Sequence, residues 1–283
     1  AWVVRFNLIG PFGIVTDSGR AYAPKAPKIC QILAVLALQP GEAVATDTLV
    51  RELWGDNAPG NAIRTLQTHV YHARQMLEEA QSDSPARELL VTQAPGYRLD
   101  IAADEVDVHI FERLVRGAQW ELNEGSPERA GDYLDRAQKL WRGPMLSNIP
   151  VGARLTGRIA HLEELHIRFL ELRVETENRL GRYREFLPEL RALVHDYPLH
   201  EWFHGRLISA LHRAGRRGEA LEAYQNLYGI LKRELGLEPS TDVQRLQAEI
   251  LHAATQDAVQ LCPRRTTALH SAATTRWEPA VAS

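Results

Sequence analysis

The chain has 283 residues, of which 45% are hydrophobic and 24% are charged, and these proportions are typical of a folded globular protein. Lysine and arginine number 33 against 36 aspartates and glutamates, which gives a formal net charge of −3. This near-balance excludes a protein that binds nucleic acid by bulk charge alone. A local basic surface stays possible, because net charge does not report how the charges are distributed.

The use of cysteine and the length of the apolar runs indicate the cellular compartment. Cys30 lies in an apolar run far along the chain from Cys262, so we expect a small core residue and no disulfide framework. The longest apolar run, residues 32–38, is much shorter than the roughly 20 residues that span a bilayer. No signal-peptide pattern opens the chain. These features predict a cytoplasmic protein that does not contact a membrane.

The first forty residues change from strand to helix signals. Residues 2–9 and 13–22 are rich in β-forming residues and are separated by a turn, which predicts short strands. Apolar residues then recur at i, i+3, i+4 and i+7 over residues 29–36, the spacing of a buried helix face. Pro40 and Gly41 should end this helix.

Two further helices and a hairpin follow. Thr46 is predicted to cap a short second helix, which Gly55 closes. Asn61 is predicted to cap a third helix that continues to about Ala80. Residues 89–101 contain two β-rich runs around a proline and a glycine, the pattern of a β-hairpin.

The second half of the chain shows helical patterns and an internal repeat. Leu180-Gly181-Arg182 recurs as Ala214-Gly215-Arg216, an offset of 34 residues that matches the tetratricopeptide period. Gly125 marks an earlier, weaker unit. Residues 257–283 are rich in Ala, Thr, Ser and Pro and lack periodicity, which predicts a disordered tail.

The third helix separates apolar from polar residues. Its predicted core face consists of Ile63, Leu66, Val70, Ala73 and Leu77. The opposite face consists of Arg64, Thr68, Tyr71, His72 and Gln75, with His69 and Arg74 at its edges. No acidic residue occurs between Asp56 and Glu78, so this helix could approach DNA phosphates without repulsion.

The composition of the polar face suits base recognition, because arginine pairs with guanine, glutamine pairs with adenine, and threonine offers a methyl and a hydroxyl group. A solvated helix face would have a similar composition. However, a short helix, a tight connector, a longer polar-faced helix and a hairpin occur in the order of a winged helix-turn-helix. This order predicts binding to double-stranded DNA.

Several stretches occur in the order of one bacterial regulator family. They include Leu53-Trp54-Gly55, Thr65-Leu66-Gln67-Thr68-His69-Val70, Pro95-Gly96-Tyr97-Arg98-Leu99, Gly218-Glu219-Ala220-Leu221 and Glu234-Leu235-Gly236-Leu237-Glu238-Pro239-Ser240. On these stretches, over about residues 3–255, the chain resembles the Streptomyces antibiotic regulatory proteins. The resemblance implies a mostly α fold: an OmpR-type α+β winged helix over residues 1–102, and an all-α, tetratricopeptide-like bacterial transcriptional activator domain over residues 103–256.

The resemblance also implies a function and site residues. It implies an activator of antibiotic biosynthesis that binds promoter direct repeats, self-associates on DNA and contacts RNA polymerase holoenzyme, including its sigma factor. Family positions for base readers fall on Thr68 and His72. Phosphate and wing contacts fall on Arg64, His69, Arg74, Thr92, Arg98 and Thr46. Tyr71 and Gln75 join these candidates from the exposed face, and no cofactor is implied.

One string suggests different chemistry. Residues 200–204 read His-Glu-Trp-Phe-His, the spacing with which zinc proteases hold a metal ion. The string follows Pro198, where a tetratricopeptide helix would begin, and position 210 is alanine rather than a third ligand. We therefore expect neither a metal site nor an enzyme. A tetratricopeptide scaffold that binds a protein or peptide, or a ligand-gated regulator, remains the alternative function.

Overall fold

The computed structural model describes residues 4–22, 24–81 and 87–261, with the backbone alone from 253 to 261. These residues form two compact units. The first extends to Phe186 and the second begins at Leu187. Cys262 and most of the predicted tail lie outside the described residues.

The first unit begins with two small antiparallel sheets. The first sheet has the order β1-β2-β3 and the second has the order β4-β6-β5. The strands are β1 (Val4–Asn7), β2 (Gly13–Thr16), β3 (Ala21–Tyr22), β4 (Ala43–Ala45), β5 (Leu90–Gln93) and β6 (Gly96–Leu99). The predicted strands and the hairpin of β5 and β6 are confirmed.

Three helices accompany these sheets and form a winged helix-turn-helix. They are α1 (Pro27–Ala37), α2 (Thr46–Trp54) and α3 (Ala62–Ala80). In sequence, α1 lies between β3 and β4, and α2 and α3 lie between β4 and β5. All residues of α1 from Ile29 onward are buried, including Cys30, and burial raises the pKa of its thiol to about 11. Cys30 is therefore the core residue that its apolar context predicts.

The remaining described elements are helical, as the sequence predicts. After a 3-10 turn at Ala103–Glu105, the first unit contains α4 (Asp107–Asn123), α5 (Pro127–Gln138) and α6 (Ala153–Arg179). The second unit contains α7 (Leu187–Asp196), α8 (Glu201–Arg213), α9 (Arg217–Leu235) and α10 (Thr241–Leu261). The backbone of α10 thus continues through residues 257–261, beyond the predicted start of the tail.

The internal repeat corresponds to three equivalent turns. Gly125, Gly181 and Gly215 all have φ between +75° and +77°, a left-handed conformation that glycine adopts without steric cost. After each of them, the next residue donates its N–H to a carbonyl five positions back, at 2.8–2.9 Å. This bond is the C-terminal cap of a Schellman motif, so each glycine ends one helix and lets the chain turn into the next.

Helices α4 to α6 belong to the same compact unit as the winged helix. The carboxylate of Asp107 accepts hydrogen bonds from the backbone N–H groups of Leu8 (2.8 Å) and Ile9 (3.0 Å). The carboxylate of Glu52 accepts one from the N–H of Gly152 at 2.6 Å. These bonds connect the winged helix to α4 and α6 within the compact unit that extends to Phe186. The domain boundary near residue 102, which the resemblance implies, lies inside this unit and stays a prediction.

A half-buried histidine stacks on a tryptophan in the first unit. The ring of His166 on α6 lies 3.6 Å from that of Trp141, with 2° between the planes. Burial lowers the pKa of His166 to about 4. The folded protein therefore holds a neutral imidazole at this position at neutral pH.

This shift predicts a loss of stability in mild acid. Unfolded His166 binds a proton near pH 6.5, whereas the folded residue does so only near pH 4. The contribution of the neutral His166 to the free energy of unfolding is therefore complete above pH 6.5 and is lost as the pH falls toward 4. At pH 5 we expect a loss of about 1–2 kcal/mol, after allowance for solvent at the half-buried ring. Urea denaturation at pH 7.5 and 5.0 should show a smaller loss for His166→Phe than for the wild type. Equal losses would contradict the assignment.

Candidate nucleic-acid interface

Helix α3 is held by one apolar face. Its fully buried residues are Ala62, Leu66, Val70, Ala73, Leu77 and Ala80. The inclusion of Ile63 in this face is wrong, because its side chain is 55% exposed. Ile63 lies in the first turn, at the edge of the arc that the buried residues define. The predicted cap is also absent, since Asn61 occupies the N-cap position but its side chain makes no capping hydrogen bond.

The opposite face of α3 is exposed along its length, as the sequence predicts. Its exposed polar residues are Arg64, Thr68, Tyr71, His72 and Gln75. Thr68 Oγ1 donates to the carbonyl of Arg64 at 3.1 Å, which leaves the methyl group and a hydroxyl lone pair directed outward. Among the described residues, the guanidinium of Arg64 has no hydrogen-bond or ion-pair partner, so all its donors are free.

Three of these side chains support one another. Gln75 Nε2 donates to the hydroxyl of Tyr71 at 3.0 Å, and Gln75 Oε1 lies 3.4 Å from His72 Nδ1. The rings of Tyr71 and His72 meet edge to face, with centroids 5.5 Å apart. This small network restricts the side-chain rotamers before any ligand binds, which reduces the entropy cost of binding.

One edge of the face contacts α2. His69 is half-buried beside Trp54, with ring centroids 6.5 Å apart, and Lys28 donates to the carbonyl of Leu53 at 2.7 Å. Burial, followed by the charges of Lys28 and His72, lowers the pKa of His69. His69 is thus protonated less readily than a free imidazole, and it can offer a ring N–H to a phosphate.

The other edge contacts the wing. Arg74 Nε donates to the carbonyl of Leu90 at 2.8 Å, and its Nη2 donates to Thr92 Oγ1 at 2.8 Å. Arg98 on β6 donates to Gln93 Oε1 at 2.8 Å and lies 3.7 Å from a carboxylate oxygen of Asp100. Arg74 and Thr92 therefore contact each other. Arg74 and Arg98 both hold the wing in place, and both are partly exposed at its surface.

The sequence predicts that Thr46 caps α2, and this prediction is wrong. Ala45 is at the N-cap position and Thr46 is the first helical residue. The Thr46 hydroxyl donates instead to the carbonyl of Pro95 at 3.2 Å, in the turn of the hairpin. The wing approaches the start of α2 closely, since a Cβ at Gly96 would lie 2.0 Å from the carbonyl oxygen of Val44.

Gln67 and Ile63 on α3 were not among the contact candidates predicted from the sequence. Both are exposed and extend the exposed face on the Tyr71 side. The position of Gln67 in the acid-free segment could have indicated that it is a contact candidate. Ile63 gave no such indication, because an isoleucine at helical spacing predicts burial. Their side chains add an amide and an apolar group suited to a base edge and a thymine methyl.

The residues of the zinc-protease string have structural roles in the second unit. His204 is buried, with Nε2 lying 2.9 Å from the carbonyl oxygen of Pro198, and burial lowers its pKa. The carboxylate of Glu201 accepts the backbone N–H of Ser240 at 2.7 Å, and His200 stacks on Phe203 with centroids 4.2 Å apart. In the part of the chain that the structure describes, no three His, Cys, Asp or Glu residues are grouped to hold a metal ion. Likewise, none of the described helices is long and apolar enough to cross a membrane.

A free polar recognition helix, a wing braced against it and an appended set of paired helices define a winged-helix transcription regulator. Two family models match the chain in this order: the C-terminal domain of transcriptional regulatory proteins over residues 23–99 and the bacterial transcriptional activator domain over residues 106–251. The chain belongs to the Streptomyces antibiotic regulatory protein family of transcriptional activators.

Similar proteins come from several actinobacteria. The regulatory protein DnrI of Streptomyces peucetius is 39% identical over 88% of this chain and 93% of its own length. The transcriptional regulator RedD of Streptomyces coelicolor is 37% identical over 92% of this chain and 73% of its own length. The structure of Mycobacterium tuberculosis EmbR in complex with a low-affinity phosphopeptide matches 91% of this chain and 68% of that chain, with a TM-score of 0.81 and 27% identity.

Proposed function

We propose that this protein activates the promoters of an antibiotic or related secondary-metabolite pathway, in the cytoplasm and at the nucleoid. Two protomers bind neighbouring direct repeats through α3 and the wing, and they recruit RNA polymerase holoenzyme, including its sigma factor. The exposed face of α3, which is free of acidic residues as far as Leu77, carries this proposal. The similarity to DnrI and RedD supports the kind of promoter.

In this proposal, backbone contacts set the register and base contacts give the specificity. Arg64 and the N–H of His69 contact phosphates on the α2 side, and Arg74, Thr92 and Arg98 do so on the wing side. Thr68, Tyr71, His72 and Gln75 face the base edges, with Thr46 at the start of α2 near the backbone. The preformed Tyr71–Gln75–His72 network suits a major-groove edge, because its amide and imidazole offer both donors and acceptors.

The near-balance of charges in the winged helix leads us to expect that two protomers bind DNA together. Residues 1–102 contain nine lysines and arginines against ten aspartates and glutamates, so one protomer makes few net cationic contacts. Few phosphate contacts give weak non-specific affinity and a shallow dependence on salt. Sequence-specific affinity then depends on base readout and on a second protomer one helical turn away on the same face of the duplex.

The base-reading assignment gives the first prediction. Thr68→Ala or His72→Ala should weaken binding to a duplex with the direct repeats by about 1–3 kcal/mol, because each removes a hydrogen-bonding group from a base edge. Affinity for a scrambled duplex should change little, so that discrimination falls. Fluorescence anisotropy at fixed salt with both duplexes measures the difference.

Arg51→Ala provides a matched control, because Arg51 is an exposed residue of the neighbouring helix α2 that is not assigned to base reading. It should leave discrimination unchanged. Wild-type protein that does not distinguish the two duplexes would contradict the proposed function. Variants that discriminate as well as the wild type would contradict only the assignment of the readers.

A groove in the second unit favours a second candidate function. It has a volume of about 560 Å³ and its lining includes Arg191, His195, Glu222, Asn226 and Arg233 on α7 and α9. This volume is within the range of ligand sites, and a lining of mixed charge suits a peptide or a polar metabolite. A ligand-gated regulator would show a rise in melting temperature with pathway products, since a ligand that binds only the folded state stabilises it.

A further inference from the structure

A second surface of the first unit combines arginine and aromatic side chains. On α4, Arg113, Arg116 and Trp120 follow at i, i+3 and i+7, so they form one stripe along the helix. Trp120 is 57% exposed, and both arginines are exposed. An exposed tryptophan in a helix interior contributes nothing to the core, and tryptophan and arginine are enriched at the centres of protein interfaces.

Helix α5 supplies the other wall of this surface. Tyr133 and Arg136 face the stripe, with the guanidinium of Arg136 lying 5.9 Å from the ring centroid of Tyr133. The ring of Tyr133 packs against Gly117, where a Cβ would lie only 2.7 Å from it. Glycine at this position therefore lets the ring lie flat between the helices and leaves an open groove of about 490 Å³.

The lining of the groove is cationic. It contains three arginines and no acidic residue within the described part of the chain. Two neighbouring acids on α4 are already engaged: Glu112 with His109, Arg158 and His161, and Glu121 with Arg129. On α5, the exposed Asp132 lies one helical turn before Arg136 but does not line the groove. Arg113, Arg116 and Arg136 have no ion-pair partner among the described residues.

We propose that this α4–α5 groove binds an acidic protein surface of the RNA polymerase holoenzyme, with carboxylates on the arginines and an apolar side chain against Trp120. The proposal rests on the proposed function and names the contact through which it would operate. Charge complementarity identifies an acidic partner, and the exposed indole favours protein over duplex DNA, because the DNA backbone offers no apolar group to cover it. Electrostatic complementarity of this kind speeds association and fixes register.

The test uses the full chain with the double variant Arg113→Glu/Arg116→Glu and, separately, Trp120→Ala. Three quantities are measured: affinity for a direct-repeat promoter duplex, affinity for purified Streptomyces RNA polymerase holoenzyme without DNA, and promoter activation in vitro. We expect DNA affinity to stay within twofold of wild type while holoenzyme affinity and activation fall at least tenfold. Arg113→Gln/Arg116→Gln, which removes charge without reversing it, should give a smaller loss in the same direction.

Lys232→Glu/Arg245→Glu is the matched control, because it changes the charge equally at two exposed cationic residues of the second unit that line neither groove. It should leave all three quantities within twofold of wild type. A parallel loss of DNA affinity in the groove variants would make the groove a DNA surface and overturn the proposal. Unchanged holoenzyme affinity, or no binding of the wild type to holoenzyme, would also overturn it. Wild type that neither binds nor activates the promoter would contradict the proposed function itself.

Discussion

Replacing Asp107 with alanine is expected to lower the free energy of unfolding of the first compact unit by about 3–5 kcal/mol. The carboxyl group is fully buried, and it accepts the N–H groups of Leu8 and Ile9 together with a 2.6 Å ion-pair hydrogen bond from Arg142. Burial raises the pKa of Asp107, and the three donors act in the opposite direction. Alanine leaves two buried backbone donors without acceptors and a guanidinium without its partner, which is costly.

Asp135→Ala is the control for this prediction. Asp135 is an exposed partner of Arg173 in the same unit, and surface ion pairs contribute about 0–1 kcal/mol. Urea denaturation of both variants and the wild type measures the difference. A loss below about 1 kcal/mol for Asp107→Ala would show that water replaces the carboxylate, and that this side chain does not join the end of β1 to the start of α4.

The second large effect is expected at Glu52. This buried carboxylate accepts N–H groups of Gly152 at 2.6 Å and Arg154 at 2.9 Å, which are among the unpaired donors at the N-terminus of α6. A negative charge at a helix N-terminus also interacts favourably with the helix dipole. Glu52→Ala should therefore lower the free energy of unfolding by about 2–4 kcal/mol, and Glu52→Gln, which keeps an acceptor oxygen, should lower it by less.

Glu42→Ala serves as the comparison, because Glu42 is exposed in the turn before β4 and should change stability by less than about 0.5 kcal/mol. Chemical denaturation measures all three variants. Equal stability of Glu52→Ala and wild type would mean that α6 is capped by other groups. Gly152 is informative here as well, since a Cβ at this position would lie 2.4 Å from the carbonyl oxygen of Glu52, so Gly152→Ala should be destabilising in the same assay.

Both carboxylates also bear on how the protein would transmit a signal. Asp107 connects the first sheet to α4, and Glu52 connects α2 of the helix-turn-helix to α6. The α4–α5 groove that we assign to the polymerase is therefore in the same compact unit as the recognition helix. A contact made at the groove would therefore be made on the compact unit that also contains α3.

Local sequence was enough to predict most elements. The periodic apolar residues of α1, the Gly55 stop after α2, the hairpin and the three glycine turns each depend on residues close together in the chain. The polar face of α3 was predictable for the same reason, because helical geometry alone determines which side chains share a face. The two errors on α3, at Ile63 and at the cap of Asn61, both lie at its first turn, where the position of neighbouring elements decides burial.

The sequence by itself determined the winged helix, the paired helices and the exposed polar face of α3, because their signals are periodic and local. Only the tertiary structure decided that Arg74 and Thr92 contact each other, that Thr46 bonds to the wing, and that the pKa of His69 is lowered. It also showed that two isolated acids, Asp107 and Glu52, hold helices α4 to α6 against the winged helix. These acids carry no sequence motif, since each acts on backbone groups that are close only in the folded chain, about 100 positions away.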